Sequence, residues 1–195
     1  MFGKLFAIPS VKRIFSFRLL LAALAVAVSA AIPASASAES KADLDRTSKA
    51  ALNKLVAKVP AANALNAKAV AILVFPSITK AGFMVGGQYG EGVLWRGGKA
   101  AGYYSTSGAS YGLQAGAQKY GYAMFFMREK ALTALTTADG FEVGVGPSVV
   151  VMDDGMGKST TTTNLQDDIY AFIFSQKGLM AGLGIQGNKI TKLDK

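Results

Sequence analysis

The sequence predicts an α+β fold in which an N-terminal amphipathic helix packs on a curved antiparallel sheet or a small β-barrel. One helical pattern precedes a long series of strand patterns, and glycine recurs every few residues among the aromatic and β-branched residues of those strands. Because each glycine inside a helix costs about 1 kcal/mol relative to alanine, this density of glycine argues against further long helices. Glycines within strands mark bends, bulges and close backbone contacts, so we expect the sheet to curve.

Residues 1–38 have the pattern of a signal peptide for export. The first eighteen positions contain four basic residues and no acidic ones, an apolar run extends from Leu19 to Ile32, and small residues lead to Ala38. An uncleaved membrane anchor is the alternative, but the apolar run is shorter than the ~20 residues that a membrane-spanning helix needs. We therefore expect residues 39–195 to form a single domain that is exported to the periplasm, either soluble or peripherally attached to a membrane.

Composition excludes several classes of chemistry. Removal of residues 1–38 lowers the net charge from +9 to +5, which permits attraction to anionic surfaces without indicating nucleic acid. The chain has no cysteine and no histidine, so it lacks a disulfide framework and the usual base of a serine hydrolase. The segment from Gly108 to Gly112 has the spacing of a nucleophile elbow but no histidine to accept the serine proton, which leaves a Ser–Lys pair as a remote alternative.

Metal sites are also poorly supported by the sequence. The adjacent acidic pairs at 153–154 and 167–168 are explained more simply by a turn and by the start of a strand than by a calcium loop. We therefore expect no enzymatic activity, no cofactor and no metal, with divalent cation binding at these acidic pairs as the alternative.

Ser40 to Val59 is predicted to form an amphipathic helix with Ser40 as its cap and Pro60 just beyond its end. The apolar residues that share one arc at helical spacing are Leu44, Ala51, Leu52, Leu55, Val56 and Val59. Four basic residues lie beside or opposite that arc, namely Arg46, Lys49, Lys54 and Lys58. The helix either packs on the domain with solvated lysines, or lies on an anionic membrane with its apolar face inserted.

The strands are predicted from short apolar runs with turn residues between them. A buried strand over 69–75 is expected to stop at Pro76, and Gly97-Gly98 predicts a two-residue hairpin turn. A short helical turn is expected over 60–66 and a short helix from Arg128 to Leu135. Further strands are predicted over 122–127, 141–152, 160–163, 169–174 and 178–190.

The segment from Val74 to Leu94 resembles the SYLF lipid-binding domain family, which is related to the yeast actin-binding domain. The resemblance continues from Tyr104 to Gln118 and resumes from Ser175 to Gly187. It implies a non-enzymatic domain that binds phosphoinositides or other anionic lipids, with actin bound by some eukaryotic members. Lys80 and Tyr89 occupy pattern positions of the family.

Together these observations predict a lipid-binding domain that associates with anionic phospholipid at a membrane of the cell envelope. The predicted lipid-binding residues are Arg46, Lys49, Lys54, Lys58 and Lys80. The alternative is a structural or adaptor protein that holds an envelope protein at an exposed sheet edge or a glycine-lined groove. Nucleic acid is not an expected partner.

Overall fold

A computed structural model of the 195-residue chain describes residues 39–137, 140–142, 149–152 and 167–195. The predicted signal peptide and the strand predicted over 160–163 lie outside the described residues. The helices of the described part are α1 (Lys41–Lys58), α2 (Pro60–Asn66) and α3 (Glu129–Thr137). Its strands are β1 (Ala71–Arg96), β2 (Lys99–Phe126), β3 (Phe141–Glu142), β4 (Val149–Met152) and β5 (Ile169–Leu193).

Helix α1 begins and ends close to its predicted positions. The Asp43 backbone N–H donates to the Oγ of the cap residue Ser40 at 3.2 Å, and the chain turns extended at Val59 because Pro60 follows. Leu52 and Leu55 are buried against the sheet. Of the two interpretations of this helix, the structure therefore shows the one in which it packs on the domain.

Three long antiparallel strands form most of the sheet, in the order β1, β2, β5. The predicted breaks between separate strands are wrong, because Pro76 lies in a bulge within β1 and the two strands predicted between 169 and 190 are one continuous β5. Short β3 pairs antiparallel with β5, and β4 pairs with β5 in parallel. The α+β class and the curved sheet are confirmed, with the curved sheet forming a half-barrel.

Bulges in neighbouring strands coincide and bend the sheet. The β1–β2 register shifts between Phe75 and Ile78, and the β2–β5 register shifts between Lys119 and Gly121. Strand β1 then curls back on itself, so that a Cβ atom placed on Gly90 would lie 2.8 Å from the Ser77 carbonyl oxygen. Only glycine permits this approach, which is why a curled strand of this length contains glycine here.

The bent sheet buries both of its faces. On the concave face Phe75, Tyr104 and Phe126 pack together with Leu132 and Leu135 of α3. Helices α1 and α2 cover the other face over Val74, Phe125 and Phe172, among others. A hydrogen bond connects α1 to the sheet, because the Trp95 indole N–H donates to the buried Oγ of Ser48 at 2.8 Å.

Replacement of Ser48 tests this link. Ser48→Ala leaves the Trp95 indole N–H without its acceptor, and we expect the free energy of unfolding to fall by about 1–2 kcal/mol. Urea denaturation followed by the fluorescence of Trp95, the single tryptophan, measures it. Asn53→Ser, at an exposed position of the same helix, should change stability by less than about 0.5 kcal/mol. Equal losses of unfolding free energy in the two variants would contradict a stabilising role for the Ser48–Trp95 hydrogen bond.

Candidate functional site

Two adjoining cavities open between α1 and the row of bulges. One has a volume of about 250 Å³ and lies between the end of α1 and residues 174–177 of β5. The other, of about 540 Å³, extends along α1 towards its first turns and reaches residues 119–121 of β2. Lys54 and Lys177 line both cavities, Lys58 lines the first, and Lys119 lines the second together with Arg46. We call the two cavities together the basic groove.

The backbone of β5 shapes the floor of the groove. Ser175 has φ 53°, a left-handed conformation that costs a non-glycine residue about 1 kcal/mol or more. The side chain of Phe174 occupies the place where a Cβ on Gly121 would be, so the strands approach more closely there than a larger residue would permit. The irregular backbone at Ser175 and the lack of a side chain at Gly121 together leave the recess that the lysines surround.

The four lysines of the groove form no ion pair with an acid of the described residues. Lys119 and Lys177 are directly opposite residues of β2 and β5, an arrangement in which like charges destabilise a sheet. Within the described residues no carboxylate lies within 4.0 Å of the amines of Lys54, Lys58, Lys119 or Lys177. Such a cluster favours an anion with several acceptor oxygens.

Acidic side chains do occur at the far end of the groove, near Arg46. Its guanidinium forms an ion pair with Asp43 at 3.0 Å, and this partner, followed by the Ser40 hydroxyl, lowers the pKa of the Asp43 carboxyl. Glu39 also lines that end and accepts a hydrogen bond from the Thr47 hydroxyl at 3.0 Å. The uncompensated charge is therefore concentrated at the four lysines.

The five predicted lipid-binding residues do not all lie at the groove. Lys54 and Lys58 line the groove, and Arg46 lies at its end. The amine of Lys49 lies 4.8 Å from the centre of the Trp95 ring, where it contributes to packing of α1 on the sheet. Lys80 follows Thr79, which shares a rung with Lys119, so strand alternation directs Lys80 to the opposite face.

The sequence did not predict Lys119 and Lys177 as binding residues. Each lies next to a glycine-rich run, but the chain separation of 58 positions gives no sign that they face each other. The pairing of β2 with β5 brings them together, and no local pattern could predict this register. Tyr89, the other pattern position, is 45% exposed and donates a hydrogen bond to Glu91 at 2.9 Å, outside the groove.

The concave face holds a small polar interior. The Tyr120 hydroxyl donates to Gln88 Oε1 at 2.8 Å, and the Gln88 amide donates to Asn188 at 2.5 Å. Burial raises the pKa of Tyr120, although its hydrogen bond with Gln88 opposes the shift. The adjoining cavity of about 120 Å³ is smaller than the ~300 Å³ of typical small-molecule sites. A large ligand therefore fits the surface groove better than this interior.

The other motifs do not form sites in the described residues. Gly108 to Gly112 lies within the continuous strand β2, so it lacks the strand-to-helix turn of a nucleophile elbow. Asp168 forms an ion pair with Arg128 at 2.8 Å, and the pair at 153–154 lies outside the described residues. In the part of the chain that the structure describes, no cluster of three acidic residues could hold a metal ion.

Residues 107–195 match the family model described as Ysc84: Las17-binding protein actin regulator. The match covers less than half of the 195-residue chain. The resemblance to SYLF domains is thereby confirmed for β2 and β5, which supply Lys119 and Lys177 to the groove. Helix α1 and β1 lie outside the matched residues. No curated protein matches the chain.

Among the described residues, no helix has the length and apolar character needed to cross a bilayer.

Repulsion between the facing lysines predicts a stabilising substitution. Lys119→Gln should raise the free energy of unfolding by about 0.2–1 kcal/mol at low ionic strength, because the like charges no longer oppose each other. Urea denaturation at about 0.01 M and about 1 M salt should show the gain only at the lower concentration, since the Debye length falls from about 30 Å to about 3 Å. Lys68→Gln, at an exposed position outside the groove, is the control. Equal effects at both positions would refute the repulsion.

Proposed function

We propose that residues 39–195 form a non-enzymatic domain that binds the phosphate groups of anionic phospholipids at the basic groove. The observation that carries this proposal is the facing pair Lys119 and Lys177, joined by Lys54 and Lys58, with no carboxylate of the described residues within 4.0 Å of these amines. Lysine is a flexible donor of three hydrogen bonds and binds phosphate as a point charge. Each lysine near an anionic bilayer contributes about 1 kcal/mol of attraction.

The structure favours a particular mode of membrane contact. The apolar face of α1 is packed on the sheet, where Leu44 and Leu55 are at most 2% exposed, so it is not free to insert into lipid. The cations on the outer side of the helix remain exposed beside the groove. We therefore propose that α1 supplies charge to the lipid surface and keeps its apolar side in the protein.

The proposal includes a location in the cell. A leader pattern in residues 1–38 supports export, and we propose that the exported domain lies in the periplasm and attaches peripherally to a membrane. The family match supports binding of lipid or protein in general, and the phosphoinositide class is one candidate among anionic headgroups. An exported protein would meet anionic phospholipids other than phosphoinositides. The lysines of the groove can bind any of them, because they contact only the phosphate group.

Liposome flotation of residues 39–195 tests the proposal. Vesicles of phosphatidylcholine with phosphatidylglycerol should carry the domain, whereas vesicles of phosphatidylcholine alone should not. Lys54→Gln combined with Lys177→Gln should weaken binding to the anionic vesicles about 30-fold, because about 2 kcal/mol of attraction is lost.

The matched control removes the same charge elsewhere. Lys68→Gln combined with Lys130→Gln changes two exposed lysines that do not line the groove. If both double variants lose binding equally, general attraction rather than the groove explains it. Equal flotation of the unaltered domain with neutral and anionic vesicles would refute the proposal itself.

A protein partner is the second candidate function. The matched family model names Las17 binding and actin regulation, and β1 is an edge strand with one side unpaired in the described sheet. An envelope protein held by strand addition at β1 would give a stable complex in crosslinking, and no phospholipid in native mass spectra of the purified domain. A retained phospholipid would favour the groove instead.

A further inference from the structure

The three long strands share a stretch without charged residues. No charged residue occurs in 81–90 of β1, in 100–118 of β2 or in 178–188 of β5. Strand pairing places Phe83, Ala115 and Ala181 side by side, so these stretches lie next to one another across the sheet. We call residues 81–90 and the strand segments paired with them the uncharged corner.

Apolar side chains project from this corner on β1. Phe83, Met84 and Val85 are exposed by 75%, 50% and 63%. In a regular strand consecutive side chains alternate between faces, but the β1 register shifts between Phe83 and Val85, and Met84 has φ 59°. This conformation costs a non-glycine residue about 1 kcal/mol or more. The bulge thus exposes three consecutive apolar side chains at a cost in backbone strain.

Lysines border the uncharged corner on all three strands. Lys80, Lys119 and Lys177 are the first charged residues at one side of the respective stretches, and they lie on two adjacent rungs. Alternation places Lys80 on the face opposite the other two, so basic residues surround the sheet at this level. At ~3.3 Å per residue, the rung of Lys119 lies about 13 Å along the strands from the rung of Phe83. We call these three lysines the basic collar.

We infer that the uncharged corner inserts into the interfacial layer of an anionic bilayer, with Phe83, Met84 and Val85 at the acyl boundary and the basic collar at the phosphates. This inference rests on the proposed function and names the surface that enters the membrane. Apolar faces of peripheral proteins penetrate about 5–10 Å into the headgroup and acyl boundary, which is less than the ~13 Å between the rungs of Phe83 and Lys119, so Phe83 can enter this layer while the collar stays outside the acyl chains.

Charge and backbone geometry both favour a lipid occupant at shallow depth. A second copy of the chain seated corner to corner would bring two basic collars together, whereas anionic headgroups neutralise them. Strand β1 is a sheet edge, and its unpaired backbone groups would be costly in the hydrocarbon core. The corner therefore reaches the interface and no deeper.

Site-specific labelling measures the insertion directly. The chain has no cysteine, so Phe83→Cys gives one site for an environment-sensitive fluorophore. On phosphatidylcholine–phosphatidylglycerol vesicles that contain lipids spin-labelled near the top of the acyl chain, we expect strong quenching at position 83. The matched label at Ala100→Cys, an exposed position at the hairpin end of β2, should remain unquenched.

Substitutions without labels separate insertion from folding. Phe83→Ser should weaken vesicle binding about tenfold or more, because the variant has no aromatic side chain at this position to transfer from water into the bilayer. Met84→Gly should also weaken binding while the free energy of unfolding stays equal or rises, because glycine adopts the positive φ without strain. Val151→Ser removes another exposed apolar side chain, 43% exposed in β4, and should leave binding unchanged.

The outcomes distinguish this inference from the proposed function. If the domain floats with anionic vesicles but the label at position 83 is not quenched, the corner does not insert and only the groove binds. If the domain does not float at all, the proposed function fails and the inference fails with it. A blue shift of the label that depends on protein concentration, without vesicles, would show that a second copy covers the corner and would overturn the inference.

Discussion

The close return of β1 upon itself is the constraint on which the rest of the structure depends. A strand of this length can curl only where its own backbone comes near enough to displace a side chain, and Gly90 and Gly92 meet that condition beside Ser77 and Val74. The curl separates a concave face, filled by aromatic residues, from an outer face that α1 and α2 cover. Without the curl the concave face would not be buried, because a flat three-stranded sheet covered on one side by α1 and α2 leaves its other side in water.

The same bends create the proposed binding surfaces. Bulges near Pro76, Tyr120 and Ser175 fall at one level across β1, β2 and β5, and the recess at this level is the basic groove. A second irregularity at Met84 lies a few residues farther along β1 and directs apolar side chains outward. Curvature and binding surface are therefore not independent features, since each irregularity that bends the sheet also exposes side chains that a regular strand would keep on alternate faces.

Sequence reasoning predicted what local pattern controls. The cap at Ser40, the stop at Pro60 and the hairpin at Gly97-Gly98 follow from backbone preferences of single residues, and each lies where it was expected. Glycine density correctly predicted curvature, whereas the strand ends expected at Pro76 and between residues 174 and 178 do not exist. In a curled sheet, glycine lets a strand continue through a bend, so the same residues that end a strand elsewhere lengthen it here.

The candidate site was predicted only in part, for a physical reason. Lys54 and Lys58 could be found because helical periodicity places them beside an apolar arc, whereas Lys119 and Lys177 meet only through the register of β2 with β5. That register depends on bulges, and one extra residue in a strand reverses every later side chain. Lys80 is an example of this dependence on register. Its neighbour Thr79 pairs with Lys119, so Lys80 lies on the face opposite the groove.

Unfavourable features coincide along these strands, and the proposed membrane binding would explain them together. Facing lysines at 119 and 177, and left-handed conformations at Met84 and Ser175, each lower stability, although a neutral pair or a glycine would avoid the loss. Each feature also presents a group that a lipid interface would complement: positive charge for phosphate, or an apolar side chain for the acyl boundary. A bound bilayer would offset the repulsion and cover the apolar surface, so the membrane-bound domain should be more stable than the free one by linkage. The unfavourable geometry of the free domain is then what gives the bound state its advantage.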